Sequence, residues 1–141
     1  MSVVLSALLA AALQAAPASG WSWTLYESDG PLVLAEEIPD TTRLRTTLEC
    51  QPGTGAVMLH LYTNAAAGDF ARITAGQATA ASEARVARGR LETSVRVDHP
   101  AFIAFVAGEP MTVVAGAASN RVVMPAEHLP RLRRFADRCA G

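Results

Sequence analysis

The stretch RVVMPAEHLPRLRRFADRC, residues 121–139, decides how the rest of the chain is read. Leu129, Leu132, Phe135 and Cys139 recur at helical spacing and share one face, leaving Arg131, Arg133, Arg134 and Arg138 on the remainder. This is an amphipathic helix that needs an apolar surface to dock on. Pro130 has no N–H to give a helix interior, so it belongs in the first turn, where its fixed φ is an asset. The apolar residues up to Met124 read as a last strand running into that helix. The only other cysteine is Cys50, so a Cys50–Cys139 disulfide is expected to staple the helix to a strand in the first half.

Working outward, that strand is the clearest in the chain. In Thr42 to Cys50, Leu44, Thr46, Leu48 and Cys50 alternate with Arg43, Arg45, Thr47 and Glu49, which turns Cys50 inward. Gln51 to Gly55 is a Pro/Gly hairpin loop, and Val57, Leu59 and Leu61 then alternate with Met58, His60 and Tyr62 as an antiparallel partner. Upstream, Trp21, Trp23 and Leu25 share one face of an early strand, Ser28 to Pro31 turns the chain, and Leu32 to Ile38 makes a second strand.

Downstream, Phe70 to Thr74 is a short strand. The alanines of Ala78 to Arg88 would suit a helix, but the segment alternates and is bracketed by glycines among strands, which favours strand. Leu91, Thr93, Val95 and Val97 alternate with Glu92, Ser94, Arg96 and Asp98. Asp98-His99-Pro100 breaks this strand. Ala101 to Ala107 is apolar throughout, and periodicity does not choose between a doubly buried strand and a turn or two of helix. Met111 to Ala115 and Arg121 to Met124 close a hairpin around Gly116 to Asn120. Eight or nine short strands at regular spacing, with one C-terminal α-helix, predict a mainly β fold: an antiparallel β-sandwich or open barrel, with the helix covering an open end or sheet edge.

Met1 to Ala18 has no charged residue, an apolar run from Val3 to Leu13, and then Ala16-Pro17-Ala18. This reads as a signal peptide cut after Ala18. The run is shorter than the roughly 20 residues of a membrane span, which sets it against the alternative of a retained anchor and predicts no stable span after removal. Residues 19–141 are then a single β-rich domain. All 12 basic residues are Arg, a bias typical of a GC-rich bacterial genome, and they nearly balance 13 acidic residues, which argues against nucleic acid as a partner. Two cysteines behind a signal peptide indicate an oxidising compartment, periplasmic or extracellular.

From Leu91 to Cys139 the chain combines a strand, the turn DHPAF, an apolar segment with Phe102 and Phe105, Gly108, the strand TVVAG, and a final helix carrying Phe135 and Cys139. This ending resembles that of small exported β-proteins of the invasion-associated locus B family of alphaproteobacteria. The resemblance covers about a third of the chain. It implies an exported β-rich domain without an established reaction and transfers no catalytic residue.

No linear motif of chemistry is present. There is no G-x-S-x-G, phosphate-cradling glycine loop or C-x-x-C, and Ser119 lacks the flanking glycine of a nucleophile elbow. His60, His99 and His128 are isolated; they read as a solvent-side strand residue and two turn residues, the alternative being a zinc site assembled from His60, His128 and Glu127. No metal or cofactor is expected. Glu36, Glu37 and Asp40 read as surface charge, since adjacent strand residues face opposite ways. The candidate partner surface comprises Trp21 and Trp23, which form either an aromatic shelf for a sugar or peptide or, as their place in an early strand favours, part of the core. With them go Arg131, Arg134 and Arg138, which form either a solvated face or a site for an acidic partner or phosphate. The function these features favour is a non-catalytic binding or interaction module of the bacterial envelope, recognising a protein or envelope component. The alternative is a small secreted enzyme or enzyme inhibitor with a loop-assembled site, and a pocket holding a buried, converging His and carboxylate would favour it.

Overall fold

A computed structural model describes residues 20–63 and 66–141; the expected signal peptide, Met1 to Ala18, lies outside the described residues. Ten strands form two antiparallel sheets. The six-stranded sheet has the order β1-β2-β3-β4-β8-β7, from β1 (Ser22–Tyr26), β2 (Leu32–Glu37), β3 (Leu44–Cys50), β4 (Ala56–Tyr62), β7 (Arg85–Ala87) and β8 (Arg90–Arg96). The four-stranded sheet has the order β10-β9-β5-β6, from β5 (Phe70–Ala75), β6 (Ala78–Glu83), β9 (Met111–Ala115) and β10 (Ala118–Val122). Helices α1 (Pro100–Val106) and α2 (Leu129–Ala140) complete the fold, with a turn of 3-10 helix, Ala126–His128, leading into α2.

Alternation in the sequence places the core. Leu34, Leu48 and Leu59 lie across from one another on β2, β3 and β4, and β8 continues their row with Thr93. All four are buried, and the three leucines join Ala71, Ile73, Met111 and Val113 of the second sheet in one continuous cluster. The chain passes from one sheet to the other at Ala84, the single residue between β6 and β7. Its N–H donates to the Asp69 carbonyl at 2.8 Å, and the Glu83 carbonyl accepts from Thr93 Oγ1 at 2.8 Å. A strand that changes sheets is how orthogonally packed sheets turn a corner, and it makes two strands of the expected one at Ala78 to Arg88.

The C-terminal helix forms as its pattern requires. Pro130 sits in the first turn of α2, and Leu132, Phe135, Ala136 and Cys139 are buried against β1 and β2. Cys139 is bonded to Cys50, with Cα atoms 5.7 Å apart. The last carbonyls of a helix lack intrahelical partners; here those of Arg138 and Cys139 accept from the N–H groups of Gly53 (3.1 Å) and Gly55 (2.9 Å) in the β3–β4 loop.

One open reading is settled and two expectations need correction. Ala101 to Ala107 resolves as helix α1, because His99 Nδ1 accepts from the Ala101 N–H at 3.0 Å and Pro100 starts the first turn, leaving Ala101, Phe102 and Phe105 on the buried face. The last hairpin turns on two residues rather than five: Gly116 at φ +59° permits a tight reversal, so Ala115 pairs with Ala118 and β10 starts earlier than Arg121. Glu36 is not surface charge. It faces inward opposite Trp23 and Thr46, and a bulge that makes Arg45 the unpaired residue of β3 lets Arg45 Nη1 (3.1 Å) and Thr46 Oγ1 (3.1 Å) satisfy its carboxylate. Burial outweighs these partners and raises its pKa above the usual carboxylate value.

Candidate functional site

The residues singled out as a partner surface are mostly engaged within the chain. Trp23 is buried in the core, and its backbone carbonyl accepts from Arg131 Nη1. Arg134 Nε and Arg138 Nη1 both donate to Glu27 Oε1, at 2.7 and 2.8 Å. They hold that carboxyl below its usual range, Arg134 first and Arg138 second. The three arginines therefore clamp α2 to the first strand and the residue after it. Trp21, just outside β1, is half-buried, with the Arg45 guanidinium 4.1 Å and that of Arg43 5.6 Å from its ring centre, a cation–π stack. The pair thus divides, Trp23 in the core and Trp21 at the rim.

His60, His128 and Glu127 do not assemble. His60 lies on β4 beside Thr47, Glu49 and Glu92, whereas His128 stands at the start of α2, against Arg131 at 2.7 Å and Glu127 at 3.9 Å. Among the described residues no group of three or more His, Cys, Asp and Glu is placed to hold a metal ion, and no helix is long and apolar enough to cross a membrane.

What the sequence did not single out is a buried polar row on the outer face of the six-stranded sheet. Thr47, His60 and Glu92 face one another across β3, β4 and β8, with Ala35 of β2 at one end of the row and the exposed Arg85 of β7 at the other. His60 is only 5% exposed, correcting its reading as a solvent-side residue, and Glu92 only 6%. Their neighbours are long enough to roof them: Arg85 Nε donates to Glu92 Oε2 at 2.6 Å, and Arg90 Nε to Oε1 at 3.1 Å, while Arg90 Nη1 reaches the Tyr62 hydroxyl at 3.4 Å. Burial alone would raise the Glu92 carboxyl, but the hydrogen bonds and charges of Arg85 and Arg90 outweigh it and keep it ionised below the ordinary range. His60 shifts the other way. Desolvation, with the Arg90 charge, lowers its pKa despite Glu49 and Glu92, so the ring is neutral at neutral pH, with Nδ1 3.1 Å from Thr47 Oγ1.

Beside this row opens a cleft of about 380 Å³, lined by Met58, Ser82, Glu83, Arg85, Glu92 and Ser94 among others. It lies where β6 leaves one sheet and β7 joins the other, and the Ser82 and Ser94 hydroxyls meet across it at 3.2 Å. A signal for this site did exist in the sequence. Alternation put His60 and Glu92 on the faces of their strands opposite the core, and pairing β4 with β8 makes them neighbours.

No family model, curated protein or solved structure matches the chain.

Proposed function

We propose that the chain is an exported bacterial protein that works in the cell envelope as a binding module rather than an enzyme. Export is supported by the apolar leader ending in Ala16-Pro17-Ala18 and by the Cys50–Cys139 bond, a kind of bond that persists in oxidising compartments. The resemblance of Leu91 to Cys139 to the invasion-associated locus B type points the same way. Binding is carried by one observation: His60 and Glu92, the groups nearest an acid–base pair, are already committed to their neighbours. Glu92 is neutralised by two guanidiniums and so is a poor base, and His60 is covered and does not line the cleft. Groups so held position a ligand better than they move protons. The test is expression with the leader intact in a bacterial host. Osmotic-shock release of a protein beginning at Ser19, with both thiols resistant to alkylation until reduced, is expected. Intact Met1 in the cytosol with two free thiols refutes export.

A hydrolytic reading has one specific observation in its favour, the approach of His60 Nε2 to Glu92 at 3.9 Å beside an open cleft. It requires His60 to reach a substrate. If His60→Gln abolishes a turnover that the wild-type protein shows toward any peptide or ester, that reading replaces the first.

A further inference from the structure

We infer that the cleft at the β6–β7 corner recognises a zwitterion, the free amino and carboxylate groups of an amino acid or short peptide; this rests on the binding reading above. Two charges of opposite sign line the cleft without being satisfied by each other. Arg85 spends only Nε, on Glu92, while its side chain is 76% exposed. Among the described residues neither of its terminal nitrogens has a hydrogen-bond partner, so a guanidinium held through Nε at the edge of the cleft keeps both free for a ligand. Arg90 differs, because Nε and Nη2 both go to Glu92 and Nη1 goes to Tyr62. Anchoring one nitrogen of a guanidinium on a buried carboxylate leaves a planar fork whose two parallel donors match a carboxylate.

Glu83, two residues before Arg85, lines the same cleft and is exposed, and its carboxylate has no hydrogen bond or ion pair among the described residues. An anion alone would gain Arg85 and be repelled by Glu83. A ligand with a carboxylate at one end and an ammonium at the other meets both favourably. The hydroxyls of Ser82 and Ser94 can exchange their mutual hydrogen bond for ligand amide groups, and Met58 supplies an apolar wall for a small side chain. A cleft of about 380 Å³ has room for a dipeptide.

Three probes separate the parts: alanyl-alanine, its N-acetyl derivative and its C-terminal amide, each titrated into the 15N-labelled protein while amide shifts of β6 to β8 are followed. Alanyl-alanine is expected to bind, with acetylation and amidation each weakening it about tenfold or more, as the loss of one oriented charge contact implies. In Arg85→Gln the acid and the amide become equal. In Glu83→Gln the free amine and its acetyl form become equal. Arg85→Lys, which keeps charge but loses the fork, falls between. Glu83 is exposed and unpaired among the described residues, and in Arg85→Gln the buried Glu92 keeps its bonds to Arg90; unchanged far-UV spectra and melting check that both variants fold. Equal binding of all three probes to the wild-type protein, or no shift with any of them at millimolar concentration, overturns the ligand class. Slow appearance of free alanine in the same samples would instead refute the non-catalytic reading, while a preference for the zwitterion would stand.

Discussion

Replacing both Cys50 and Cys139 with alanine removes a cross-link between residues 89 apart in sequence. Closing a loop of that length restricts the unfolded chain by about 4.6 kcal/mol at 25 °C in the chain-entropy picture, and native disulfides of small exported domains contribute about 2–5 kcal/mol when measured. With an unfolding entropy of about 2.1 cal/mol/K per residue, the roughly 120 folded residues give near 4 °C of melting temperature per kcal/mol. The double variant is therefore expected to melt about 8–18 °C lower. It should nevertheless remain folded. Leu132 and Phe135 are fully buried, each contributing about 1.5–3 kcal/mol from apolar burial, and the two loop N–H groups still hold the last carbonyls of α2. Circular dichroism melts give the first number, and amide exchange across α2 gives the second. A fall of under about 4 °C would refute loop closure as the source of stability. Loss of protection in α2 alone, with the strands still protected, would show that the bond rather than packing holds the helix.

Three further outcomes follow from named positions. At Gly116 an added Cβ would meet the Gly68 nitrogen at 2.6 Å on a backbone with φ +59°, whereas at Gly89, with φ +74°, it would meet nothing within 4 Å. In urea unfolding Gly89→Ala should cost about 1 kcal/mol from the left-handed backbone alone, and Gly116→Ala clearly more; equal losses would show that the two glycines serve only their φ. Trp23→Phe should leave a red-shifted emission readily quenched by acrylamide, from half-buried Trp21, and Trp21→Phe a blue-shifted, protected one; the reverse would contradict the core assignment. His60 is held neutral with a folded pKa below its ordinary 6.5, so the unfolded chain takes up the proton first on acidification and stability rises with pH. That contribution is whole above the unfolded value and is lost as pH falls toward the folded one. Unfolding free energies from about pH 7 to about pH 5 should therefore fall less steeply in His60→Gln than in the wild-type protein, and parallel curves would refute a buried neutral ring.

The parts of the fold that were legible in the sequence are those in which one residue's environment follows from its near neighbours. The spacing of Leu132, Phe135 and Cys139 fixes a helical face, and the alternation of Leu44 to Cys50 fixes a strand face, so the disulfide between the two could be read directly. Ala101 to Ala107 was undecidable because a fully apolar run carries no period, and the deciding contacts lie outside it, at His99 and Pro100. Glu36, His60 and Glu92 were misplaced or passed over for a different reason. Alternation says which face a side chain takes, but not whether Arg45, Arg85 or Arg90 is long enough to cover that face. That depends on strand pairing, and above all on β8 lying between β4 and β7.

The corner at Ala84 links the topology to the candidate site. In an uninterrupted strand Glu83 and Arg85, two residues apart, would stand on the same face and screen each other's charge. The change of sheet separates their surroundings. Glu83 remains opposite Phe70 in the four-stranded sheet, while Arg85 lies opposite Glu92 in the six-stranded one. Glu92 then takes Nε of Arg85, leaving the Glu83 carboxylate without a partner among the described residues although both line one cleft. Half-buried Ala84, packed against the core and held through its N–H to Asp69, fixes the turn between them. The break that carries the chain from one sheet to the other is thus the same break that keeps two opposite charges apart and available.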